Sequence, residues 1–276
     1  MYKLKDWIPI EKLNNFFLSF NENAVDFLER NPERIHWHNL SNNKNAIHLL
    51  EKNLDKVEWY YLSGNHNAIR ILEKNKDKLK MMDWSFLSEN PCAIHILEEK
   101  QEKIDWKSFC TNPAAIPLLE KNPDKIDWSF LSENPNAIHI LEKNPDKIDW
   151  KWICMNTNAI PIIEKNMDKL NIHSWCFLLS NPNAIHIIEK NMDKINWRRL
   201  SENPNAIHIL EKNQDKIDWN TFSCNPGIFE LDYSFLKKRM DILREELMSV
   251  ALHPDRIEHL FYNMREHGNE SIDNYI

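Results

Sequence analysis

The side chains that could do chemistry in this 276-residue sequence recur at fixed intervals. His48, His95, His139, His186 and His208 each sit two residues after an alanine and three before a glutamate. Rows of imidazole and carboxylate are the raw material of metal sites and of general acid–base pairs. The spacing argues against both. Copies on successive short helices stand one helix spacing apart, about 10 Å, whereas zinc holds its ligand atoms at about 2 Å. Other copies of the same position carry Asp26, Arg70, Pro117 and Pro161, which no metal ladder would accept. The histidines are therefore expected to face solvent, with a recognition surface as their functional reading.

The glutamates of the same segments, such as Glu120, Glu142 and Glu164, are followed by lysine. Paired acids work as catalysts only inside a cleft that shifts their pKa values. A solvated ion-pair lattice is the expectation instead, and such pairs contribute little each. The five cysteines, Cys92, Cys110, Cys154, Cys176 and Cys224, lack CxxC spacing and read as buried, reduced fillers of an intracellular protein. There is no glycine-rich phosphate loop and no nucleophile elbow. The chain is expected to be non-enzymatic, with no catalytic, metal or cofactor site.

These residues belong to a repeat. Tryptophans at 37, 59, 84, 106, 128, 150, 175, 197 and 219 recur every 22 residues, with two intervals of 25. A fixed period of this size signals a repeat architecture. With the tryptophan as position 1, nine full units run from Asn15 to Asp218, and a tenth breaks off after Pro226. Asparagine occupies position 7 in every copy, from Asn21 to Asn225. Position 10 is alanine, positions 11, 13 and 14 are large and apolar, and position 22 is usually a helix-capping residue such as Asp105, Asp127 or Asp149.

Each unit reads as two short helices. Position 22 caps a helix that starts at the tryptophan and runs to about position 6. Asparagine at position 7, tolerant of left-handed backbone, ends it. A second helix covers about positions 9 to 16, with Pro117 and Pro161 in its first turn, where proline is harmless. Positions 10, 11, 13 and 14 span about 160° of that helix, a face wide enough for a core. Helices this short need their neighbours. The expected fold is an all-α solenoid of two short helices per 22-residue repeat, with N- and C-terminal caps. Residues 1–14 form the N-terminal cap, 15–226 the solenoid, and 227–276 a helical C-terminal cap. In that cap a long helix from Tyr233 to about Leu252 is expected to pack through Phe235, Leu236, Ile242, Leu243, Leu247 and Val250. A second helix through Ile257, Leu260 and Phe261 should end near Gly268. Three-residue insertions at Leu79–Asp83 and Leu170–Ser174 are expected to lengthen loops.

The position-7 asparagine should cap one helix and donate to the neighbouring unit, satisfying buried backbone groups. The tryptophan row reads as core, so Trp128→Ala should cost roughly 3–5 kcal/mol.

The unit NPNAIHILEKNPDKIDWxxLS, the opening MYKLKDWIPIEKL and the closing IFELDY…ALHPDRI resemble a repeat-protein family of giant DNA viruses of the mimivirus kind. The likeness covers essentially the whole chain. Asn15 in place of the first tryptophan and Glu99-Lys100-Gln101 in place of Lys-Asn-Pro depart from the pattern and bear on local packing. The resemblance implies a viral origin, and with it a place in the host cytoplasm, the viral factory or the virion.

Net charge is −7, no uniform basic stripe is evident, and no apolar run is long enough for a membrane helix. The N-terminus is read as lacking a signal-peptide core. Variation is concentrated at positions 2, 3 and 6, on a fixed scaffold, which is how repeat proteins build binding surfaces. The expected function is a protein–protein interaction scaffold for a host or viral protein. Lys107, Lys151 and Arg198, with Arg199, would favour the alternative, a modular nucleic-acid binder; a structural virion component is a further alternative. Candidate interaction residues are thus the five histidines together with Lys107, Lys151 and Arg198.

Overall fold

The computed structural model describes residues 1–75, 84–253 and 256–258. The chain is mostly helical, with about 20 short helices packed in a repeating pattern. It divides into two compact parts, Tyr2–Glu230 and a smaller one made of Met1 with Leu231–Ile276.

The unit beginning at Trp197 shows the local logic. An α-helix spans Trp197–Glu202, a 3-10 turn Pro204–Ala206, a second α-helix Ile207–Glu211 and another 3-10 turn Gln214–Lys216. Position 22 starts the first helix as its residue type suggests: Asp105 accepts from Lys107 N at 3.1 Å and from Ser108 N at 3.2 Å. Position 7 ends it differently from the left-handed conformation expected. Asn112 has φ −69° and ψ 119°, and Asn203 φ −78° and ψ 115°. The backbone is extended there because this asparagine also caps the turn that leads into the second helix. Asn203 Oδ1 accepts from Asn205 N at 2.9 Å. Position 17 is not left-handed either; in Asn144 it has φ −134°, and its Nδ2 donates back to the Ile140 carbonyl at 2.9 Å. Pro117 and Pro161 fall in the first turn of their helices.

The fully buried apolar residues are those of positions 4, 10 and 14, such as Leu131, Ala137 and Leu141. The tryptophans are half-buried against this core, with Trp175 alone among the nine fully inside. The expectation of a tryptophan core is corrected accordingly. An indole at the start of the first helix reaches the edge of the unit, and its outer face is covered by the lysine of position 20. Lys147 Nζ lies 4.8 Å from the centroid of the Trp128 ring, and Lys169, Lys194 and Lys216 stand likewise over Trp150, Trp175 and Trp197.

Units are joined by the asparagines. Asn134 Nδ2 donates to the carbonyls of Cys110 (2.9 Å) and Asn112 (2.8 Å), positions 5 and 7 of the preceding unit. Asn136, at position 9, donates to Pro113 O at 2.8 Å. The position-7 bonds recur in every unit and the position-9 bond wherever asparagine stands there, and they do not stop at the ends. Asn21 Nδ2 donates to Ser223 O at 3.1 Å and to Asn225 O at 2.8 Å, and Asn23 Nδ2 to Pro226 O at 3.0 Å. The first unit stands on the last as every other unit stands on its predecessor, so the stack closes on itself.

Residues 1–14, expected to cover an open end, instead complete the tenth unit. Trp219 to Ile228 supply its positions 1 to 10, and Pro9 to Asn14 its positions 17 to 22. Ile10–Lys12 forms the 3-10 turn that Pro123–Lys125 forms elsewhere. Asn14 N donates to Ser223 Oγ at 2.9 Å, as Asp149 N donates to Ser132 Oγ at 3.0 Å within one continuous unit. Lys12 covers the Trp219 ring at 4.7 Å. In place of a second helix this unit has a two-stranded sheet, β1 (Tyr2–Leu4) paired with β2 (Phe229–Leu231). Lys3 and Lys5 both reach the Glu230 carboxylate at 3.1 Å.

The first helices of neighbouring units pack closely on one another, more so than the second helices. In a closed stack the tighter tier is the inner one. At 100° per residue, positions 2, 3 and 6 lie opposite positions 4 and 5; position 3 is itself buried where it is Asn39, Ser108 or Thr221, and half-buried where it is Phe130, Trp152 or Phe177.

The smaller part contains a helix over Tyr233–Ala251, capped by Asp232, which accepts from Phe235 N at 3.1 Å. Its expected packing side is exposed: Phe235, Ile242, Leu243, Leu247 and Val250 all face solvent, Leu247 at 71%. The second cap helix lies mostly outside the described residues, as does the insertion Leu79–Asp83. The insertion at Leu170–Ser174 lengthens a helix rather than a loop. Ile172–Leu178 is helical, and Asn171 caps it by accepting from His173 N and Ser174 N.

Candidate interaction surface

The five position-12 histidines are exposed as expected, but they are not independent. Each Nε2 sits against the position-15 glutamate of the preceding unit. His48 lies 2.8 Å from Glu29, His95 3.0 Å from Glu73, His139 3.2 Å from Glu120, His186 2.9 Å from Glu164 and His208 2.8 Å from Glu189. The glutamates expected to pair with lysine in a lattice pair here with histidine across the unit boundary. Both partners are about half exposed, so each pair contributes little to stability. The row is a girdle of unit-to-unit contacts on the second helices. Among the described residues no three His, Cys, Asp or Glu side chains gather as metal ligands would.

The position-2 candidates lie elsewhere: Lys107 and Arg198 on the first helices of their units, and Lys151 in the turn that leads into the 3-10 helix Ile153–Met155. Lys107, Lys151 and Arg198 are exposed there on alternate units. What the spacing of position 2 alone did not reveal is the role of position 3. Phe130, Trp152 and Phe177 hold it in three successive units and touch. Phe130 and Trp152 are stacked at 5.9 Å with planes 18° apart, and Trp152 meets Phe177 at 5.4 Å. Lys151 Nζ lies 4.7 Å from the Trp152 ring and 5.1 Å from that of Phe177. Arg199 stands 5.5 Å from the Phe177 ring and bonds Glu202 at 3.3 Å. Lys151 and Arg199 are thereby held in place by aromatic faces, each such contact contributing on the order of 0.5–1 kcal/mol where exposed.

A second aromatic run crosses the units at the other end of the chain. Phe16 packs on His36 at 4.8 Å, His36 on His38 at 5.6 Å, His38 on Tyr61 at 6.3 Å, and Tyr60 on Phe86 at 4.5 Å. Over all ten units, positions 2 and 3 contain no aspartate or glutamate, in a chain of net charge −7. Four cations stand there, all between the units of Trp106 and Trp197. Position 6 is the contrast: it carries Glu89, Glu133 and Glu202. Burial first, and the charge of Glu89 second, push the Glu133 carboxyl above its usual range. The first-helix face is thus a band of aromatic rings and cations bordered by acids.

The cysteines divide. Cys110 and Cys154 are buried at position 5, where the other units have serine except for Leu179, and Asp127 N donates to Cys110 Sγ at 3.3 Å. Burial pushes their thiols up to about 11 and about 12. Cys92, expected to be buried, is exposed at position 9. Among the described residues no helix is long and apolar enough to cross a membrane. Comparison with protein families, with curated proteins and with solved structures finds no match to this chain.

Proposed function

We propose that the chain is a non-enzymatic protein–protein interaction scaffold, a short-helix α-solenoid closed on itself that presents positions 2 and 3 to its partner. The observation that carries this reading is the division of labour within each unit. Positions 4, 5, 7, 10 and 14 are committed to the core and to the asparagine bonds between units, while positions 2 and 3 change from Phe16-Phe17 to Lys151-Trp152 to Arg198-Arg199. A constant frame with a variable face is what an extended recognition surface requires. The viral origin implied by the sequence resemblance, and a place in the infected cell or the particle, belong to the same proposal.

The test is capture from infected-cell lysate with tagged wild-type protein, in parallel with a variant carrying Trp152→Ala and Tyr60→Ala, each with and without nuclease. The scaffold reading expects a defined protein captured by the wild type, resistant to nuclease and lost from the variant. Captures identical for the two proteins would reject positions 2 and 3 as the surface. The four cations of the face also favour a second reading, a nucleic-acid partner, and loss of the captures on nuclease treatment would select it.

A further inference from the structure

We propose that the basic arc of the first-helix face, from Lys107 to Arg198, binds an extended acidic peptide segment of its partner; this rests on the scaffold reading above. Lys107, Lys151 and Arg198 recur on every second unit, with Ser129 and Cys176 between them. Arg199 is neutralised by Glu202 at 3.3 Å, which leaves these three as the charges offered to a ligand. The acids nearest in sequence are already engaged. Asp105, Asp127 and Asp149 spend their Oδ1 atoms on the N–H groups of the helices they cap, and Ser129 Oγ donates to the Asp149 Oδ2 at 2.8 Å.

Two features favour a peptide over a nucleic acid. A single strand gains affinity by stacking bases on free aromatic faces, and the faces here are taken. Trp152 is stacked on Phe130 and covered by Lys151, and Phe177 carries both Lys151 and Arg199. The rings fix cations rather than waiting for bases. A dense polyphosphate would also meet the net charge of −7 and the position-6 glutamates, whereas a peptide with a carboxylate every few residues needs only three matched cations. Units about 10 Å apart set the arc at about 40 Å over four steps, which about 12 extended residues span.

The experiment uses the full chain and a fluorescein-labelled peptide of about 12 residues alternating Glu with Leu, read by anisotropy at low and moderate salt. Probes for comparison are the same peptide with Lys for Glu, and a labelled single-stranded thymidine oligonucleotide. The proposal expects binding of the acidic peptide alone, weakened at least tenfold by Lys107→Glu, Lys151→Glu and Arg198→Glu combined. The girdle changes Lys121→Glu and Lys165→Glu, of equal charge kind on the second helices, should leave it intact. Circular dichroism and the unfolding midpoint of each variant establish that it folds; if the triple reversal unfolds, Lys107→Gln with Arg198→Gln takes its place, with the same expected direction. Tighter binding of the oligonucleotide, or peptide binding indifferent to the reversals, overturns the proposal. A peptide that fails to bind while lysate capture still depends on Trp152 and Tyr60 overturns the acidic chemistry and leaves the scaffold standing.

Discussion

Asn21 donates from Nδ2 to the carbonyl oxygen of Asn225 at 2.8 Å across 204 residues of sequence, as Asn43 donates to Asn21 at 2.9 Å across 22. Ten asparagines are linked head to tail in this way with no first or last member. A linear repeat stack exposes a stacking face at each end; here the two faces satisfy each other. The seam between them is made by the segment that precedes the first unit.

Removing residues 1–14 should therefore do more than shorten the chain. It deletes positions 17 to 22 of the tenth unit, including Lys12 over Trp219 and the Asn14–Ser223 bond. Two complementary but unclosed ends then meet those of other molecules, a heterologous contact that propagates. Light scattering after size-exclusion chromatography should show concentration-dependent association, and the unfolding midpoint should fall. A monomer with the wild-type midpoint would refute the seam.

Within the ladder, Asn134→Ala removes two donated bonds to buried carbonyls and one accepted from Asn136 N. The Asn112 carbonyl keeps its bond from Ala115 N at 3.0 Å, so Cys110 O and Asn136 N are the groups left without a partner. At about 1–3 kcal/mol for each such group, a loss of about 2 kcal/mol or more is expected in denaturant unfolding. Asn134→Asp should be worse, since its carboxylate would face two carbonyl oxygens. A loss below about 1 kcal/mol would mean that water replaces the amide and that the ladder is not dry.

The core ranks differently from the sequence-based expectation. Leu131→Ala empties a fully buried site and should cost about 3–4 kcal/mol. Trp128→Ala, despite the larger side chain, should cost less, about 2 kcal/mol, because the indole is half-buried and covered on its outer side by the exposed Lys147. Denaturant unfolding of the two variants side by side checks the order. A costlier tryptophan would restore it to the core.

The period, the two helices and the double role of the position-7 asparagine were legible because each has a local cause: capping residues, proline placement, an apolar face. Closure was not, because it depends on the small rotation between units, which accumulates from packing and has no residue signature. One clue did lie in plain view. Pro9-Ile10-Glu11-Lys12-Leu13-Asn14 has the pattern of Asn122 to Asp127, placed at the wrong end of the chain. The aromatic run of Phe130, Trp152 and Phe177 is not legible in the sequence for a different reason. Position 3 also holds Asn39, Ser108 and Thr221, so only spatial adjacency reveals the rings as one surface.

One acid bordering that surface, Glu133, carries a pH dependence. Glu133 has its carboxyl pushed up by burial and by Glu89, so the folded state holds that proton more tightly than the unfolded state does. Its ionised form therefore opposes folding at neutral pH, and the opposition fades as pH falls through the folded pKa to the unfolded one. Glu133→Gln should raise the unfolding midpoint at pH 7 and leave it unchanged below about pH 4, where both states are protonated. Equal shifts at the two pH values would point to packing instead of charge.

Thiol reactivity reads the seam from inside the fold. Cys92 is exposed and should react first with a disulfide reagent at neutral pH, whereas Cys110 and Cys154 are buried with thiols held near 11 and 12 and should react only on opening. Cys224 lies in the composite tenth unit, its thiol also pushed up to about 11 by burial and bonded to the Thr221 carbonyl at 3.0 Å. Deletion of residues 1–14 should accelerate Cys224 strongly while leaving Cys110, five units from the seam, close to its wild-type rate. Mass spectrometry of the labelled peptides separates the sites. If both thiols speed up together, opening is global, and the two termini do not form a unit that can be released by itself.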